Sequence, residues 1–78
     1  MPHISLKMLK GRTDEQKKAA CEKLTQALCE AVGCNAAHVS CTIEDYTAEE
    51  WQEIFVTDIE EKQDKLYKKP EYDPKDLL

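Results

Sequence analysis

The chain has 78 residues, 41% of them hydrophobic, which is enough for one small domain and no second. A chain this short buries only about 60–65% of the surface its unfolded form exposes, so its stability must come from a marginal core, a covalent staple or association with another copy. Eleven basic against 16 acidic residues leave a net charge of −5, which argues against nucleic acid as a partner, because phosphate binding needs a basic footprint. No apolar run approaches the ~20 residues of a membrane span and no signal-like segment opens the chain, so a cytoplasmic protein with no membrane partner is expected.

In chain order, Ile4, Leu6 and Met8 alternate with His3, Ser5 and Lys7, which predicts a half-buried strand over 2–8. Thr13 and Gln16 then form a capping box, with Asp14 and Glu15 suited to a helix N-terminus. Ala20, Leu24, Ala27, Leu28, Ala31 and Val32 recur at spacings of three and four, predicting a helix over 14–32. Gly33 stands where a left-handed residue ends it. Alternation returns with Val39, Cys41 and Ile43, a second strand over 38–45. Strand, long helix, strand is a right-handed crossover joining parallel strands.

Thr47 with Glu50 opens a short helix over 48–53, and Thr57 with Glu60 reads as a third capping box. It starts a helix over 58–69, with Asp58–Lys62 and Glu61–Lys65 as i,i+4 pairs and Pro70 and Pro74 beyond its end. From Tyr72 on, a loose tail is expected. The fold class is α+β: a single domain over 1–78, built as a β-α-β unit with parallel strands and a C-terminal helical extension. Two strands leave the sheet incomplete, so two units joining their sheets in a dimer are expected.

Four cysteines, Cys21, Cys29, Cys34 and Cys41, show no CxxC or zinc spacing and read as small packing residues. There is no phosphate-binding glycine loop, GxSxG, HExxH or EF-hand spacing. His3 and His38 stand singly at the starts of the two strands, where a solvated or capping role is expected. The cluster Glu44, Asp45, Glu49 and Glu50 reads as a solvated face.

Pro2 is the distinctive residue. A small second residue such as proline normally permits removal of the initiator Met, leaving a free secondary amine at the start of a strand. An α-amine has a reference pKa of about 7.7–8.0, and burial or a neighbouring cation such as Arg12 disfavours its charged form. Such an amine can act as a general base near neutral pH.

Pro2-His3-Ile4, followed by Gly11-Arg12-Thr13-Asp14-Glu15-Gln16-Lys17, a long helix and a strand, resembles the 4-oxalocrotonate tautomerase family. Trp51-Gln52, and Lys68-Lys69-Pro70 with Tyr72, are similar to its dimeric PptA-like subgroup, so the resemblance covers about residues 2–72. It implies a keto–enol tautomerase (isomerase) without metal or cofactor, acting on a small-molecule 2-oxo acid or its enol. Pro2 would be the base, Arg12 the carboxylate-binding residue and Trp51 an aromatic wall of the site.

At Ser40 the chain departs from the family, which carries a second arginine there. One arginine and one tryptophan suit a monocarboxylate with an apolar tail, such as the enol of phenylpyruvate, better than a dicarboxylate such as 2-hydroxymuconate. Two alternatives remain open. Hydration or dehalogenation of an unsaturated acid could use Glu53 to activate water, although Arg12 is the only arginine. A non-catalytic dimeric binding module would result if Met1 were retained, since the Pro2 nitrogen would then be an amide. In a dimer, residues 47–72 are expected to help form the interface.

Overall fold

A computed structural model describes residues 1–78. The chain divides into two compact units, Met1–Asp45 and Tyr46–Leu78.

The first unit is a β-α-β crossover. Strand β1 spans His3–Leu9 and pairs with β2, Ser40–Tyr46, in a two-stranded sheet. The pairing is parallel: His3 lies beside Ser40 and Thr42, Lys7 lies beside Glu44, and so the numbering rises together along both strands. Alternation sorts the side chains. His3, Lys7, Ser40, Thr42 and Glu44 share a polar face, while Cys41 and Asp45 turn to the helix side.

Helix α1, Asp14–Val32, closes the crossover. At its start the Thr13 hydroxyl accepts from Gln16 N–H at 3.1 Å, and the Gln16 side chain accepts from Thr13 N–H at 2.9 Å. At its end Gly33 adopts φ 70°, ψ 46° and donates its N–H to the Cys29 carbonyl at 2.9 Å. This is the left-handed cap that a Cβ would strain. Two links tie α1 to β2. Lys17 Nζ meets Asp45 Oδ2 at 2.5 Å, and burial pushes the Cys41 thiol above its ordinary value, with a Cys21 hydrogen bond adding to the rise.

The second strand starts later than the alternation predicts. Asn35 Oδ1 accepts from Ala37 N–H and caps a 3-10 turn over Ala36–His38. His38 is therefore an exposed turn residue, not the first residue of a strand.

The second unit differs most from expectation. Helix α2 runs Ala48–Asp58, well past residue 53, behind the Thr47–Glu50 capping box. It continues because Phe55 is buried at 7% exposure, the only residue in the chain enclosed to that degree. Thr57 is thus inside a helix and cannot cap one. Its hydroxyl donates back to the Glu53 carbonyl at 3.2 Å, the usual fate of a mid-helix threonine. The helix over 58–69 does not form. Instead Glu60–Lys65 is a 3-10 segment broken at Lys62, with no side-chain cap at Ile59. Its sequence, Glu-Glu-Lys-Gln-Asp-Lys, offers no apolar stripe to bury. In that segment Lys65 Nζ lies 3.6 Å from Asp64 Oδ2.

Nor is the C-terminus loose. Asp73 caps a 3-10 turn over Pro74–Leu77, and Tyr72 packs edge-on to Phe55 with ring centroids 5.6 Å apart. Gln52 Nε2 donates to the Pro74 carbonyl at 2.7 Å and to the Ala48 carbonyl at 3.1 Å. No helix is long and apolar enough to cross a membrane.

Replacing Thr13 with Ala removes the hydroxyl that accepts from Gln16 N–H and should lower unfolding stability by about 1 kcal/mol. A urea midpoint unchanged from wild type would show that the cap contributes nothing.

Candidate active site

The polar face of the sheet holds the start of β1 in place. The Pro2 carbonyl accepts a hydrogen bond from Ser40 N–H at 3.2 Å. One residue on, His3 Nδ1 lies 2.6 Å from the Ser40 hydroxyl, and His3 Nε2 lies 3.5 Å from Thr42 Oγ1. Ser40 therefore grips the N-terminal segment twice, through its own backbone and through the His3 ring. Pro2 is half-buried there, while Met1 is 95% exposed.

Arg12 belongs to the loop between β1 and α1. Gly11 before it has φ 125°, a conformation that a Cβ disfavours, and this turn throws Arg12 outward. Its guanidinium is exposed, with a single long bond from Nη1 to the Leu9 carbonyl at 3.5 Å. The charge is left available to an anion.

Trp51 is a residue of the second unit, on the first turns of α2. It is half-buried, its indole N–H donates to the Tyr72 hydroxyl at 2.9 Å, and its ring lies tilted at 6.2 Å from Tyr46. Tyr72, the residue at which a loose tail was expected to begin, is thus what fixes the indole. Glu53 is exposed on the same helix.

Of the residues singled out from sequence, the structure brings Pro2 and Ser40 together and places Arg12 in the same unit. Two participants were missed. His3 is exposed, as expected of a solvated residue, but its ring also meets the Ser40 hydroxyl, and Tyr72 anchors Trp51. The first was legible in principle, because parallel pairing of the two alternating segments aligns His3 with Ser40 and Thr42. No three His, Cys, Asp or Glu side chains converge in a metal-binding arrangement.

A parallel strand pair opening on proline, with a lone arginine in the crossover loop, defines a small β-α-β unit of a recognisable type. The Tautomerase enzyme family profile matches residues 2–53, and the chain belongs to that family. Over 51 residues it is 51% identical to a 2-hydroxymuconate tautomerase of Comamonas testosteroni, covering 65% of this chain and 81% of the relative. Tautomerase PptA of Escherichia coli is 33% identical over 73 residues, 92% of this chain and 97% of the relative. Among solved structures, a 4-oxalocrotonate tautomerase isozyme from Methylibium petroleiphilum superposes with a TM-score of 0.61 at 44% identity, covering 64% of this chain and 81% of the other. The longer overlap with PptA supports the PptA-like subgroup, and the chain is an enzyme of the isomerase class.

Tyr72→Phe removes the acceptor of the indole N–H and should cost about 1 kcal/mol of stability. Trp51 is the only tryptophan, so intrinsic fluorescence reports its surroundings directly. A shifted emission maximum is expected, and an unchanged spectrum and urea midpoint would contradict the anchoring role.

Proposed function

We propose that the chain is a cofactor-independent keto–enol tautomerase acting on a 2-oxo monocarboxylic acid or its enol, such as phenylpyruvate, with Pro2 as the general base once Met1 is removed. The observation that carries the reading is the double hold of Ser40 on the Pro2–His3 segment. A base works only when its lone pair stands at a fixed place, and these bonds restrain the backbone that bears the amine. Met1 is exposed, so aminopeptidase can reach it. The matched family region also opens at residue 2.

The processed Pro2 nitrogen is a secondary amine, neutral in part at physiological pH because α-amines titrate near about 7.7–8.0. It takes the proton from the enol oxygen or from the carbon next to the carbonyl and delivers it to the other of the two atoms, so no net proton is consumed. Arg12 binds the substrate carboxylate through its planar fork, and positive charge there favours an enolate as it develops. Trp51 supplies the apolar wall for the substrate tail. Ser40 has its hydroxyl occupied by His3, which makes it a poor anchor for a second carboxylate. Together with Arg12 as the only arginine, this favours a monocarboxylate over 2-hydroxymuconate, the compound in the name of the Comamonas relative.

The same reading includes a homodimer. Helix α1 encloses none of its residues, Leu24 and Val32 on its apolar stripe remain 39% and 63% exposed, and the sheet has only two strands. Such a unit falls short of the three strands or fuller cover that independent stability requires. A second copy joining its sheet, with residues 47–72 contributing to the interface, supplies what is missing. Four free cysteines fit a reducing cytoplasm.

The test follows the decay of phenylpyruvate enol on protein whose N-terminus has been verified by intact mass. Pro2→Ala should lower kcat/KM by at least about 100-fold, and retained activity would sink the mechanism. Arg12→Ala should lower kcat/KM by about 10- to 100-fold, chiefly through KM, as expected for loss of a charge-assisted bond. Faster turnover of 2-hydroxymuconate than of the phenylpyruvate enol would overturn the substrate preference. For the dimer, light scattering at micromolar concentration should give twice the chain mass, and a monomer mass would refute it.

A further inference from the structure

The turn that ends α1 does something beyond stopping a helix. In a left-handed cap, the residue just past the glycine folds back over the residue four positions before that glycine. Here those residues are Cys34 and Cys29. Gly33 donates its N–H to the Cys29 carbonyl, and the Cys34 thiol donates to Cys29 Sγ across only 3.2 Å. Both thiols are free and half-buried.

We propose that Cys29 and Cys34 form a thiol–disulfide site, oxidised by low-molecular-weight disulfides to an intramolecular bridge across the C-terminal cap of α1. The backbone has already brought the two sulfurs into contact, so little chain movement stands between the dithiol and the bridge. Cys29 also borders an open groove of about 460 Å³, lined in addition by Cys21, Thr25, Gln26 and Ala36. That gives a small reagent room to approach Cys29. Glu22 and Glu30 lie on the same groove, so a neutral disulfide is a better match than an anionic one. The Cys34 hydrogen bond, followed by burial and the Glu30 charge, pushes the Cys29 thiol up from its ordinary value.

The chemistry balances without another component. The Cys29 thiolate attacks one sulfur of the reagent, forming a mixed disulfide and expelling the first reagent thiol. Cys34 then attacks Cys29 Sγ, forming the bridge and expelling the second thiol. Two electrons and two protons pass from the protein to the reagent. The ring so formed locks the turn at Gly33, ahead of the segment that delivers Ser40 to Pro2.

The experiment treats the reduced full chain with 2-hydroxyethyl disulfide at mildly alkaline pH. It counts remaining thiols and maps the linked peptides. Two of the four thiols should disappear, with Cys29 joined to Cys34. The Cys21→Ser/Cys41→Ser variant, which keeps only this pair, should form the bridge at a rate within about twofold of wild type and without gaining mass as a dimer. Cys34→Ser should instead accumulate a stable mixed disulfide at Cys29. A bridge between Cys21 and Cys41, linkage between chains, or four unreacted thiols in wild type would each overturn the proposal.

Discussion

The pairing of β1 with β2 at Ser40 is the constraint on which the rest of the first unit depends. Ser40 N–H reaches the Pro2 carbonyl, and Ser40 Oγ meets His3. Without that contact the first residues of the chain would be an ordinary frayed terminus. With it, the proline at the second position has a defined place. The crossover helix makes the contact possible, because parallel strands cannot be joined by a tight hairpin. Each cap on α1 therefore bears indirectly on where Pro2 sits. Thr13 and Gln16 fix where the helix begins, and Gly33 fixes where the chain turns back toward β2.

The two units use different means to hold small pieces of structure. In the first, backbone pairing and side-chain polar bonds dominate, and no residue is fully enclosed. In the second, the aromatic pair Phe55 and Tyr72 forms the nucleus, and polar links from Trp51 and Gln52 tie the last residues to α2. A chain of this size has too little interior to afford deep burial. Under the function we propose, that shortage connects fold to activity, because a small chain would gain cover from a second copy and would use its own terminus as the base.

Much of the first unit was legible because its signals are local. The Thr13–Gln16 box, the apolar stripe and Gly33 each act within a few residues, and they set the limits of α1. Period-two alternation likewise identified both strands and sorted their faces. The start of β2 was misplaced because Asn35 spends its side chain on capping a turn, which alternation cannot reveal. The second unit was harder to read. Thr57 and Glu60 match a capping box in sequence, yet burial of Phe55 carries α2 through Thr57 and removes the cap. Tertiary contact outweighed the local pattern there. The order of the C-terminus rests on Tyr72 and Pro74 meeting residues some twenty positions earlier, and no local rule encodes such a contact. For the site, Pro2, Arg12, Trp51 and Ser40 were visible as residues, while His3 emerged only once the strand register was known.

The central claim, that the Pro2 amine is the base, is tested most directly by the pH dependence of kcat/KM for enol ketonisation. The account predicts a rising limb governed by an apparent pKa at or below about 8, the range of an α-amine, and no activity when Met1 is retained and the nitrogen is an amide. A profile that stays flat between about pH 5.5 and 9, or full activity with Met1 in place, would contradict it.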